Sequence, residues 1–221
     1  MVKSTAAEKY PLAVLHFVPG EPLDPAEPGA PEIMGDMLGR IQRILISESY
    51  HPPTPEGLFG YLLEDTGTCE AYPALSTQIT RSLAAIQAFE QSMPVTYGAI
   101  NHEGPELLRD AMTGAVGAID WGVIYWGPLI YTVALSILRL RDKDLPGDAF
   151  LRHYLANSPM HPRELDGMPA YMAASRAMGA KFLASCLVSG QMRGLTDPGS
   201  TAQRMQKWMD DTDLFLGQCA R

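Results

Sequence analysis

The stretch Trp121–Leu138, WGVIYWGPLIYTVALSIL, carries no charged residue and stands between Asp120 and the basic group Arg139, Arg141 and Lys143. Its reading decides the fold. A run of about 18 uncharged residues is long enough to cross a bilayer. Trp121 and Tyr125 would then sit at one interface, with the basic group on the cytoplasmic side. Three features weigh against a span. Gly127-Pro128 falls inside the run, and proline removes a backbone donor and collides with the preceding turn. The aromatic residues are spread along the stretch instead of gathering at its two ends. No convincing export signal precedes it, since Glu8 and His16 spoil the only candidate, residues 11–18. The stretch is therefore read as the central helix of a soluble core, kinked or broken at Gly127-Pro128, in preference to a span at 121–138.

A helix that is apolar all round needs neighbours on every side, and the flanking sequence supplies them. Met34, Met37, Leu38, Ile41, Ile44 and Leu45 recur at helical spacing after Pro31, a residue suited to a first helical turn. Leu75, Ile79, Leu83, Ile86 and Phe89 form a second stripe, with Ser76 as a cap. Met168, Tyr171, Met172, Ser175, Met178, Phe182 and Cys186 form a third. Met205, Trp208, Met209, Thr212, Phe215, Leu216 and Cys219 stripe a terminal helix. Residues 94–104 read as a loop, Pro105 as the opening of a helix through Met112, and TGAVGA (113–118) as a tight helix crossing or turn. Apart from residues 12–18, no run alternates as a strand does. The fold expected is an all-α, multi-helix globular bundle of about six to eight helices. Residues 1–31, rich in proline, make an extended arm, and residues 32–221 a single helical domain.

Composition narrows the compartment and the partners. The net charge is −8 and the pI about 5.1, so the surface repels phosphate backbones and nucleic acid is not expected as a partner. Cys69, Cys186 and Cys219 are widely spaced, with no C-x-x-C. That pattern belongs to a reducing compartment, and the expected location is the cytoplasm.

The chemistry legible in the sequence is sparse. There is no G-x-S-x-G, no Walker loop and no G-x-G-x-x-G. No pair of histidines or Glu-x-x-His has the spacing of a helical metal site, so neither a metal nor a cofactor is expected. Asp120 stands out because apolar sequence flanks it on both sides. It reads first as the N-cap of the apolar helix, and second as a pocket carboxylate. In the second case Trp121, Tyr125, Trp126 and Tyr131 would wall an apolar cavity, and His51 or His102 would act as base.

With catalytic motifs missing, the first functional expectation is a helical adaptor or accessory subunit. It would act through protein–protein contacts in a larger assembly or homo-oligomer, using its Met-rich stripes and amphipathic terminal helix. The alternative is a small helical enzyme or small-molecule-binding domain with the aromatic pocket just described. A membrane-associated protein with one span at 121–138 is the second alternative.

Overall fold

The computed structural model describes residues 19–47, 66–101, 106–119, 124–191, 195 and 197–219. Helices dominate but do not make up the whole. In chain order come β1 (Glu21–Pro22), α1 (Ala30–Ser47), α2 (Thr66–Ala71), α3 (Pro73–Ser92) and β2 (Tyr97–Asn101). β3 (Glu106–Arg109), β4 (Val116–Ile119) and β5 (Ile124–Pro128) follow. Then come α4 (Leu129–Arg141), α5 (Asp148–Asn157), a 3-10 turn (Pro162–Gly167), α6 (Met168–Ser189) and α7 (Pro198–Cys219).

The decisive stretch is not one helix. Ile124–Pro128 is a strand paired antiparallel with β2, in the register Tyr97↔Pro128, Ala99↔Trp126 and Asn101↔Ile124. Only from Leu129 does the chain turn helical, with Pro128 at the N-cap (φ −67°). Proline suits that junction, because its ring fixes φ near −65° and a helix start has no use for the missing N–H. Asp120 therefore does not cap this helix. Among the described residues no helix is long and apolar enough to cross a membrane.

The region from 95 to 119 also departs from expectation. Residues 97–101 are strand, as are 106–109 and 116–119, where a loop, a helix and a helix crossing were expected. β3 and β4 form a hairpin in the register Glu106↔Ile119 to Arg109↔Val116, and β1 adds to the outer edge of β3. Asp110 shapes the turn: its Oδ1 accepts from Met112 N at 2.7 Å, and Gly114 takes φ +71°. Two small sheets thus replace the all-α bundle. These strands are two to five residues long, so alternation leaves no trace in them.

The main core gathers around α6, which packs against α3, α4 and α7. Leu129, Ile130, Tyr131, Val133 and Ala134 of α4 are all buried. α6 is buried on nearly every side, and its alanines (170, 173, 174, 177, 180 and 184) let neighbours come close. A buried Arg176 on α6 ties three helices together. Its Nη1 and Nη2 donate to Asp142, at the end of α4, at 2.9 and 2.5 Å. Its Nε lies 3.2 Å from Asp211 of α7, but the N–H is misaligned and makes no hydrogen bond. The guanidinium stacks 5.4 Å from the centre of the Trp208 ring. A buried cation costs several kcal/mol of desolvation unless it is paired in this way.

α1 and α5 approach backbone to backbone. A Cβ on Gly39 would stand 2.7 Å from Tyr154 O, and one on Gly35 would press on Phe150 O. Tyr154 OH donates to Gln42 Oε1 at 2.6 Å across the same contact. Alanine at either glycine gains roughly 1 kcal/mol of helix propensity but overpacks a site bounded by backbone, at a cost of about 1–3 kcal/mol. Gly35→Ala and Gly39→Ala should each lower the urea midpoint. A raised midpoint in both would show that the helices do not touch there.

Candidate functional site

The two strand pairs end at one place in the topology. Asn101 pairs with Ile124, and Glu106 pairs with Ile119. Residues 102–105 join Asn101 to Glu106, and 120–123 join Ile119 to Ile124. Chain connectivity therefore ties both segments to the same four strand ends. His102 and Glu103 belong to one of these segments, Asp120 and Trp121 to the other. Asp120, Trp121 and His102 themselves lie outside the described residues, as does His51.

Of the aromatic residues expected to wall a cavity, Trp126 and Tyr131 are those whose side chains are described. Tyr125 belongs to β5, and its side chain is not described. Trp126 is half-buried, opposite Ala99 of β2. Tyr131 sits deep in α4, and its phenol donates to Met178 Sδ at 3.8 Å. Tyr131 lines a cleft between α4, α6 and α7 that Trp126 does not reach.

Several side chains fix the strand pair, and the sequence reading did not single them out for it. Glu164 of the 3-10 turn is 1% exposed. Its carboxylate accepts from Thr96 N at 2.8 Å, Thr96 Oγ1 at 2.6 Å and His161 N at 2.8 Å. Thr96 O in turn accepts the first amide of α4, Leu129 N, at 3.0 Å. One buried carboxylate therefore holds the chain entering β2 and, through Thr96, the start of α4. His161-Pro-Arg-Glu164 has the spacing of a capping box, which was the available signal. His161 serves as the cap, its Nδ1 accepting from Arg163 N at 3.2 Å.

A second anchor is Glu90 of α3. Its Oε1 accepts from Tyr171 OH at 2.5 Å and from Tyr97 OH at 3.2 Å. Desolvation by burial and the adjacent Glu90 charge push the Tyr97 phenol up to about 12. The same two causes, burial foremost, raise Tyr171 further. Both phenols thus remain neutral donors at any ordinary pH.

Among the described residues no group of three or more His, Cys, Asp or Glu is arranged to hold a metal ion. Of the described side chains, Glu164, Glu90 and His161 serve as anchors and caps.

No protein-family model matches the chain, and no curated protein does. Solved structures do. The chain is similar to a choline/ethanolamine kinase family protein from Mesorhizobium loti, with a TM-score of 0.58 and 15% identity over 87% of this chain. It is also similar to amicoumacin kinase hAmiN in complex with AMP-PNP, Ca2+ and Ami, with a TM-score of 0.56 and 13% identity over 89% of this chain. The chain spans 67% and 64% of the length of those two structures. At such identities the likeness shows the fold. It overturns the all-α bundle, and it counts against the helical adaptor or accessory subunit, since both structures that share the fold are described as kinases.

Removing the Glu164 carboxylate leaves three part-buried donors short of an acceptor. Charge-assisted bonds of this kind are worth about 1.5–3 kcal/mol each, and such losses are not additive. Glu164→Ala should cost roughly 3 kcal/mol of stability, and hydrogen exchange at Thr96 and Leu129 should accelerate ahead of the α6 core. Uniform acceleration throughout, or none at Thr96, would show that Glu164 does not anchor the strand pair.

Proposed function

We propose that this chain is a small-molecule phosphotransferase-type enzyme that takes a nucleoside triphosphate with a divalent cation. The observation that carries this reading is the linkage of segments 102–105 and 120–123 to the same strand ends, in a fold shared with two small-molecule kinases. Phosphoryl transfer needs little covalent chemistry from the protein. It needs positioning and electrostatic stabilisation of the transferring phosphoryl group.

Two sequence positions compare with the kinase pattern of H-R-D-L-x-x-x-N followed by D-F-G. Asp120-Trp121-Gly122 matches the second motif, with tryptophan in place of phenylalanine. The resemblance was legible only once 116–119 was known to be a strand. In that motif the carboxylate holds the cation. Magnesium usually keeps several waters and takes one or two carboxylates plus substrate phosphates. Asp120 alone is therefore a sufficient protein donor, and a separate cluster of ligands is not required. Asp120 would hold the cation, which would supply neutralisation of the charge that develops on the phosphates. This reading replaces the expectation of no cofactor.

The first motif departs. Tyr97-Gly98-Ala99-Ile100 puts an alanine where the proton-accepting aspartate would stand, and Gly104 falls where the asparagine would. Ala99 is buried in β2 at 6% exposure, so that position has no proton acceptor. We assign the base instead to His102 on the connection that follows. Ala99 also favours a second reading: a domain of this fold that binds nucleotide without transferring phosphate.

Calorimetric titration with a non-hydrolysable ATP analogue tests the reading, with and without magnesium. Magnesium-dependent binding is expected, weakened about tenfold or more by Asp120→Asn, a loss of at least 1.4 kcal/mol. The thermal midpoint should not fall. No nucleotide binding at millimolar concentration would overturn both readings. Binding with no ATP turnover, unchanged in His102→Gln, would select the second.

A further inference from the structure

The cleft between α4, α6 and α7 has a volume of about 510 Å³, within the range of small-molecule sites. Its walls are mainly apolar, built from Tyr131 and Leu135 of α4, Phe182 of α6 and Trp208 of α7. Phe182 is 39% exposed at the edge, so an aromatic face stands open to an entering molecule.

The charged groups in the lining decide what that molecule is. They are Arg139, Asp142 and Arg176. Both oxygens of Asp142 are already held by Arg176, at 2.5 and 2.9 Å, and Lys207 Nζ stands 3.8 Å away. Arg176 is in turn committed to Asp142, to Asp211 and to the face of Trp208. Arg139 is different. It is exposed, and it has no hydrogen-bond or ion-pair partner among the described residues. Its place in the last turn of α4 offsets the helix dipole. That accounts for a cation there, and leaves unexplained the apolar recess beside it. Two guanidinium groups against one carboxylate leave the lining net positive.

We propose that this cleft binds an amphipathic organic carboxylate. Its apolar or aromatic body lies between Leu135, Phe182 and Trp208, and its carboxylate meets Arg139. Guanidinium and carboxylate match as a planar, two-pronged pair. An amine of the same shape finds no free carboxylate, and it meets the positive field of Arg139 and Lys207. The proposal goes beyond the nucleotide reading and does not depend on it, since no residue of segments 102–105 or 120–123 takes part.

The test uses the full chain and three probes sharing one body: 4-phenylbutyrate, 4-phenylbutan-1-ol and 4-phenylbutylamine, titrated by calorimetry without nucleotide. The carboxylate should bind roughly tenfold tighter than the alcohol, with the amine weakest. Added salt should weaken the carboxylate alone. Arg139→Gln should bring the carboxylate down to the affinity of the alcohol and leave the alcohol unchanged. Phe182→Glu, at an exposed position, should weaken both. Equal affinity for carboxylate and alcohol, indifference to Arg139→Gln, or failure of all three probes to bind would each overturn the proposal. Failure of nucleotide binding would leave it standing.

Discussion

The antiparallel pairing of β2 with β5 is the constraint on which the rest of the structure hangs. It takes Ile124, Tyr125 and Trp126 out of any helix and sets them opposite Asn101, Ile100 and Ala99. It also brings Pro128 beside Tyr97, so that α4 begins next to the segment entering β2. α4 has no side-chain cap. Its first amide is satisfied instead by the carbonyl of Thr96, and Thr96 is held by the buried Glu164. Breaking this chain of contacts at any point frees both the strand pair and the start of the most buried helix. An unsatisfied group in such a site costs about 1–3 kcal/mol.

What the sequence could disclose follows from how local each signal is. The stripes in 34–45, 75–89, 168–186 and 205–219 mark real helices, because a buried helix face writes its 3.6-residue period into the chain. Even there, details shift. Ser76 lies within α3 and does not cap it. α6 is buried nearly all round, beyond the predicted stripe, while Phe182 of that stripe is exposed. The strands are another matter. Each is two to five residues long, too short for alternation to register. The pairings of β1 with β3 and of β2 with β5 join residues distant in sequence, and no local pattern announces them. Leu107-Leu108 and Val116-Gly-Ala-Ile119 are as compatible with a helix as with a strand until their pairing is known.

The candidate site shares that fate. Asp120 drew attention for a sound physical reason, a carboxylate within apolar sequence. Its role as a helix cap rested on the apolar stretch being one helix, and the strand removes it. Read after β4, the same residue opens Asp-Trp-Gly and acquires a different meaning. Trp126 and Tyr131, expected on one helix, stand instead on β5 and α4, and Trp126 does not line the cleft that Tyr131 lines. The cleft that Tyr131 does line owes its charge pattern to Arg176, a contact across three helices that no local reading of α6 discloses.

The most direct test of this architecture is the pattern of backbone nuclear Overhauser contacts from 97 to 101 and from 124 to 128. Antiparallel pairing predicts cross-strand contacts in the register Gly98↔Gly127, Ala99↔Trp126 and Ile100↔Tyr125, with helical i,i+3 contacts beginning only after Pro128. Helical contacts running unbroken through 124–128, without any cross-strand partner, would contradict it.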